Sequence, residues 1–111
     1  MPTKSVSIIL KDGKTRQFRL EWQNICRLDR EYKISIFDFG RDAIFGQISP
    51  VKITGIIWAG LLPDEPALTF EKVEKELMAF EDFQKYMDII TEAIPQFLPE
   101  AEKQKEPGKK A

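Results

Sequence analysis

The chain has 111 residues, 42% of them hydrophobic and 32% charged, with a formal net charge of −1, a single cysteine and no histidine. That length supports one domain around one core and no deep cleft between two lobes, while a lone cysteine excludes an internal disulfide and fits a reducing compartment. The lack of histidine removes Ser-His-Asp and Cys-His catalysis, Cys/His zinc sites and histidine phosphotransfer.

Residues 6–10 and 16–20 read as two short strands. Lys11, Asp12, Gly13 and Lys14 form the turn between them, because glycine accepts the positive φ that a tight hairpin needs. A lone hairpin is marginal in water, so one face must pack on helices, and Ile8, Leu10, Phe18 and Leu20 are the residues to do it. From Glu21 the apolar period lengthens, and Trp22, Ile25, Leu28 and Tyr32 fall along one side of a first helix. Cys26, beside Ile25 and Leu28, reads as a small buried hydrophobe rather than a reactive thiol. Residues 34–36 alternate like a strand, whereas Ser35 followed by Asp38 resembles a helix start; a short helix over 36–45, ended by Gly46, is the favoured reading.

Ser49-Pro50 begins the next helix, the serine oxygen accepting an orphan N–H and the proline standing where its missing donor does no harm. That helix runs to about Leu62, where Pro63 and Pro66 stop it. Ile56, Ile57, Trp58, Leu61 and Leu62 are too dense for a narrow stripe, so the segment is either buried on most sides or offers apolar surface to another protein. Thr69 caps a further helix with Glu71 and Glu74 near its positive end and Phe70, Val73 and Leu77 on its inner face. A last helix from Phe83 carries the stripe Phe83, Met87, Ile90, Ile94 and Phe97, kinked or broken at Pro95. Beyond Leu98 there is no apolar residue larger than alanine, so burial cannot offset the entropy of ordering the tail, and disorder is expected over 99–111. The predicted fold class is α+β and mainly α: one globular domain over 1–98, with a hairpin at 5–20 and four or five helices over 21–98.

The small net charge conceals an asymmetry. Residues 1–41 hold nine Lys/Arg against five Asp/Glu, and residues 42–98 hold four against ten. A basic amino-terminal half can attract nucleic acid, but its charges are spread singly and lack the interleaved aromatics of a stacking platform. A head-to-tail contact between the basic half of one copy and the acidic half of the next suits the pattern equally well. A solvated surface with neither role accounts for it with the fewest assumptions. No apolar run approaches the ~20 residues that span a membrane, and the first residues lack a signal peptide's apolar stretch, so a cytoplasmic protein with no membrane partner is expected.

Catalytic chemistry finds little support. The closest carboxylates, Asp64/Glu65, Glu81/Asp82 and Asp38/Asp42, are tied to no nucleophile or acid partner. The six glycines never take the spacing of a phosphate-binding loop. No catalytic residue, metal or cofactor is expected. Trp22 and Trp58 lie on apolar helical faces, where core packing is the first reading. Alternatively, Trp58, Leu61 and Leu62, at i, i+3 and i+4, line a groove for a partner helix, with Phe80, Phe83, Phe97 and Leu98 as its other wall. The candidate partner-binding residues are therefore Trp58, Leu61, Leu62, Phe83, Met87 and Phe97.

The order of a strand, an Asp-Gly-Lys turn and a second strand (SIILKDGKTRQFRL), then a helix, then a W-A-G-L-L segment followed by LTFEKVEKEL, resembles the tail assembly chaperones of long-tailed bacteriophages and gene-transfer-agent-type particles. The likeness covers residues 5–98. It implies a non-enzymatic protein in the cytoplasm of a host bacterium, encoded by a phage or prophage and absent from the mature virion. Such a protein self-associates, coats the long tape measure protein and hands it to tail tube subunits. The rival expectation is a small nucleic-acid-binding or regulatory protein that uses Lys11, Lys14, Arg16 and Arg19 of the hairpin.

Overall fold

Strand β1 (Val6–Ile9) pairs antiparallel with β2 (Thr15–Phe18), Val6 opposite Phe18 and Ile9 opposite Thr15, in a computed structural model that describes residues 5–44, 46 and 48–93. Gly13 takes φ 82° in the turn, and Asp12 Oδ1 accepts the Lys14 N–H at 3.1 Å. Alternation along the strands puts Ile8, Leu10, Phe18 and Leu20 in the core, as their spacing predicts. Both strands are one residue shorter than predicted, and the chain just beyond them also bonds to helical elements. The Lys11 N–H donates to the Leu77 carbonyl at 2.9 Å, and the Arg19 N–H to the Gly60 carbonyl at 2.8 Å.

Helix α1 (Trp22–Tyr32) begins after the extended Glu21 and ends at Lys33, whose left-handed φ of 58° lets its N–H reach the Asp29 carbonyl. Its inner face is Asn24, Ile25 and Leu28. Trp22, at the first helical position, is 63% exposed and lies outside the core that its spacing suggested. Cys26 is half-buried. The ambiguous stretch is helical: a 3₁₀ turn, Ile36–Asp38, with Ser35 Oγ accepting the Phe37 N–H, leads into α2 (Phe39–Ile44), and Gly46 follows with φ 65°.

Helix α3 (Pro50–Leu61) is the axis of the domain. Ser49 Oγ accepts the Lys52 N–H at 3.1 Å, and Pro50 takes the first turn. Every residue from Ile53 to Leu61 is buried, because α1, β2 and the later helices surround it. The Phe18 ring lies directly on Gly60, in the space a Cβ would need. Thr69 Oγ1 caps α4 (Phe70–Lys72), which continues as a π-helical turn, Val73–Leu77, with Val73 and Leu77 both in the core.

A second 3₁₀ turn, Phe80–Asp82, leads into α5 (Phe83–Ala93). Its buried face is Tyr86, Ile89, Ile90 and Ala93, not the predicted stripe through Phe83 and Met87. The helix is turned by about one position because the Tyr86 hydroxyl points inward and accepts the Ala79 N–H at 2.8 Å, while the Lys85 ammonium reaches the Ile9 carbonyl of β1 at 3.1 Å. The expected continuation through Ile94 and Phe97, the break at Pro95 and the tail over 99–111 lie outside the described residues. The architecture is α+β and mainly α, an antiparallel hairpin laid on helices. Among the described residues no helix is long and apolar enough to cross a membrane.

Candidate functional site

Three of the predicted partner-binding residues belong to the core. Trp58 is 1% exposed, and Leu61 and Leu62 are buried with it. Their i, i+3, i+4 spacing does place them on one face of α3, but that face is already covered. Tyr32 packs edge-on against the Trp58 indole at 5.3 Å, Phe70 lies at 6.0 Å, and the Arg27 guanidinium sits 5.1 Å from the ring centre. The indole Nε1–H donates to the Leu68 carbonyl at 2.9 Å, so even its polar edge is committed. The groove built on Trp58, Leu61 and Leu62 is therefore a feature of packing. Met87 is half-buried against the core, and Phe97 lies outside the described residues.

Of the predicted partner-binding residues that the structure describes, Phe83 is the exposed one. It is 42% exposed at the start of α5 and helps to line a cleft of about 270 Å³. One wall is the amino-terminal half of α3 with the residue before its cap: Ile48, Pro50, Ile53 and Thr54. The other is the connection from the π turn into α5, with Met78, Ala79, Phe80, Phe83 and Tyr86. Phe80 is 91% exposed at the rim. Ala79 is extended and the 3₁₀ turn closes on it, the Asp82 N–H donating to the Ala79 carbonyl at 3.1 Å, which leaves Phe80 at an outward corner.

The cleft is chemically quiet. Thr54 turns its hydroxyl onto the Pro50 carbonyl at 2.8 Å, and the Tyr86 hydroxyl accepts the Ala79 N–H. Burial pushes the Tyr86 phenol above its ordinary value, and the negative charges of Asp82 and Glu81 push the same way, so it stays protonated through the neutral range. No nucleophile with an adjacent base stands in the lining. What the cleft offers is removal of an apolar side chain from water, and its volume exceeds the ~150 Å³ cavity known to hold a benzene ring.

A second exposed aromatic surface lies elsewhere. The Trp22 and Phe37 rings stand 6.4 Å apart at an interplanar angle of 54°, and both are largely open to solvent. Sequence periodicity assigns Trp22 to the helix face but cannot show that the first residue of α1 overhangs the core.

The basic hairpin is less basic than its composition. Arg16 is 8% exposed; its Nη1 and Nη2 grip the Asp12 carboxylate at 2.9 Å each, and its Nε donates to Glu65 at 2.7 Å. The Arg16 guanidinium and, after it, the Lys14 N–H hold the Asp12 carboxyl at about 2, and the Asp12 and Glu65 carboxylates in turn hold Arg16 charged. Arg19 pairs with Glu21 at 3.1 Å. Among the described residues no group of three or more His, Cys, Asp or Glu is placed to hold a metal ion. Compared with protein-family models, curated proteins and solved structures, the chain finds no match.

Proposed function

We propose that this protein is a non-enzymatic tail assembly chaperone of a phage or prophage, binding the tape measure protein and promoting assembly of the tail tube. The observation that carries this reading is the apolar cleft beside Phe80. A domain that closes its core completely around α3 leaves an apolar trough and a nearly bare aromatic ring open at one end. Such a surface suits the apolar stripe of an amphipathic helix, the form in which a long helical client presents itself. One cleft of this size binds weakly, so many copies along an extended client hold it by avidity. Each copy then leaves separately as tube subunits arrive.

On this reading the protein acts in the host bacterial cytoplasm, has no catalytic step and is absent from the mature virion. The basic hairpin supports the nucleic-acid alternative poorly. With Arg16 buried in ion pairs and Arg19 held by Glu21, Lys11 and Lys14 remain, too few for a surface that tracks a phosphate backbone.

The test is co-expression of a tagged copy with the product of the longest reading frame just downstream, scored by the soluble yield of that product and its co-purification in high salt. Rescue by the wild type and loss of rescue with Phe80→Asp would support the chaperone reading. No rescue and no co-purification would overturn it.

A further inference from the structure

We propose that the open edge of β1 binds a short extended segment of another protein, which adds as a third strand in the slot between β1 and α5. Parity along the hairpin fixes which backbone groups are on offer. The Leu10 N–H bonds to the Lys14 carbonyl, and in this register the even-numbered residues of β1, Val6 and Ile8, likewise turn toward Phe18 and Arg16 of β2. Ser7, Ile9 and Lys11 therefore turn outward. Two of their groups are engaged: the Lys11 N–H donates to the Leu77 carbonyl at 2.9 Å, and the Ile9 carbonyl accepts the Lys85 ammonium at 3.1 Å. The Ser7 N–H, the Ser7 carbonyl and the Ile9 N–H take no protein partner among the described residues. An extended backbone meets all three together at the spacing of a sheet ladder.

The slot selects a single chain. It encloses about 420 Å³, with β1 on one side and Lys85, Asp88, Ile89 and Glu92 on the other. Those four lie at i, i+3, i+4 and i+7, a stripe of α5 about 10 Å long, facing about 13 Å of β1. Three or four extended residues match that length. The hairpin of a second copy would arrive backed by its own α5, too thick for the space between a strand and a helix. Side chains set the chemistry of the segment. Ile9 is 51% exposed beside the open edge, where an apolar neighbour would cover it. Asp88 accepts the Gln84 amide at 2.9 Å and forms no ion pair among the described residues, whereas Lys85 is committed to the Ile9 carbonyl and lies 3.9 Å from Asp82. The fitting segment thus alternates apolar residues with lysine or arginine.

This slot shares no lining residue with the Phe80 cleft, so its test is independent of the chaperone reading. The probe is a capped hexapeptide of alternating valine and lysine, titrated to ~1 mM, where even a millimolar contact is populated, into the isotope-labelled full chain and followed by amide NMR. The controls are the same peptide with every backbone N–H methylated and the variant Asp88→Lys. Asp88 is exposed, so the variant should fold, as circular dichroism would verify. The expected result is a saturable shift of the Ser7 and Ile9 amides, slower exchange of the Ile9 N–H, no binding of the methylated peptide, and roughly threefold weaker binding to Asp88→Lys. Unmoved Ser7 and Ile9 amides, shifts confined to the Phe80 cleft, equal binding of the methylated peptide, or an Asp88→Lys variant that binds like the wild type would each overturn the proposal. So would Ser7 and Ile9 shifts that follow protein concentration without peptide, since a second copy would then be the occupant.

Discussion

Trp58 and Phe80 show how little a residue's type says about its task. Trp58 is enclosed by Tyr32, Phe70 and Arg27, with its N–H bonded to Leu68, so Trp58→Ala should remove about 3–5 kcal/mol of stability. That is a large share of the ~5–15 kcal/mol typical of a domain, and urea denaturation would record it. Phe80→Ala, at an exposed corner, should change stability by less than about 0.5 kcal/mol in the same measurement. Asp12 carries a prediction of another kind. Its carboxyl is held at about 2, below the ordinary 3.8, so the folded state favours the charged form and binds the proton less readily than the unfolded chain. The stability this confers is complete above the ordinary value and is lost as pH falls toward 2. A carboxyl NMR titration should place the Asp12 midpoint near 2, and Asp12→Asn should remove that part of the acid dependence. The partner of Asp12 was half legible: turn chemistry identifies the aspartate, but only the fold brings Glu65 to the far side of the same guanidinium.

At the scale of elements, local chemistry carried most of the reading. Ser49-Pro50, Thr69 and Asp12-Gly13 each act within four residues, and each appears where its chemistry requires. Ser49→Ala should accordingly cost about 1 kcal/mol in thermal or urea unfolding. What sequence could not supply was rotation about an axis. The stripe Phe83, Met87, Ile90 shares one residue with the true inner face of α5, because the choice between adjacent stripes rests on where the Tyr86 hydroxyl and Lys85 ammonium find acceptors and donors on other segments. The dense run in α3 was equally undecided between burial and display until its neighbours were in place. Gly60 marks how tight that enclosure is. An added methyl meets the fully buried Phe18 ring, which has no flexible end to withdraw. Overpacking of ~1–3 kcal/mol, offset by ~1 kcal/mol of helix propensity, should leave Gly60→Ala destabilised by up to about 2 kcal/mol.

For the molecule as a whole, α+β composition and the order of segments followed from the sequence, while the cleft did not. It is assembled from residues on either side of α3 and α5, and no periodicity links Ile48 to Phe80. The hairpin illustrates the same dependence on remote partners. Its strand ends bond to α3 and to the π turn, so it has no independent life as a two-stranded sheet. Hydrogen exchange should therefore find the Lys11 and Arg19 amides opening only with the global transition, alongside the amides of α3; exchange much faster than α3 would show that the hairpin opens by itself.

The same long-range ties set a timetable for synthesis. Arg16 waits 49 residues for Glu65, and Ile9 waits 76 for Lys85. At ~5–20 residues per second the growing chain carries an unfinished hairpin for roughly 2–15 s before its cover leaves the ribosome. During that interval Ile8, Leu10, Phe18 and Leu20 have no helix to lie on. A ribosome-stalled nascent chain ending just past β2 should thus be digested readily by protease. One long enough to expose α5 should resist.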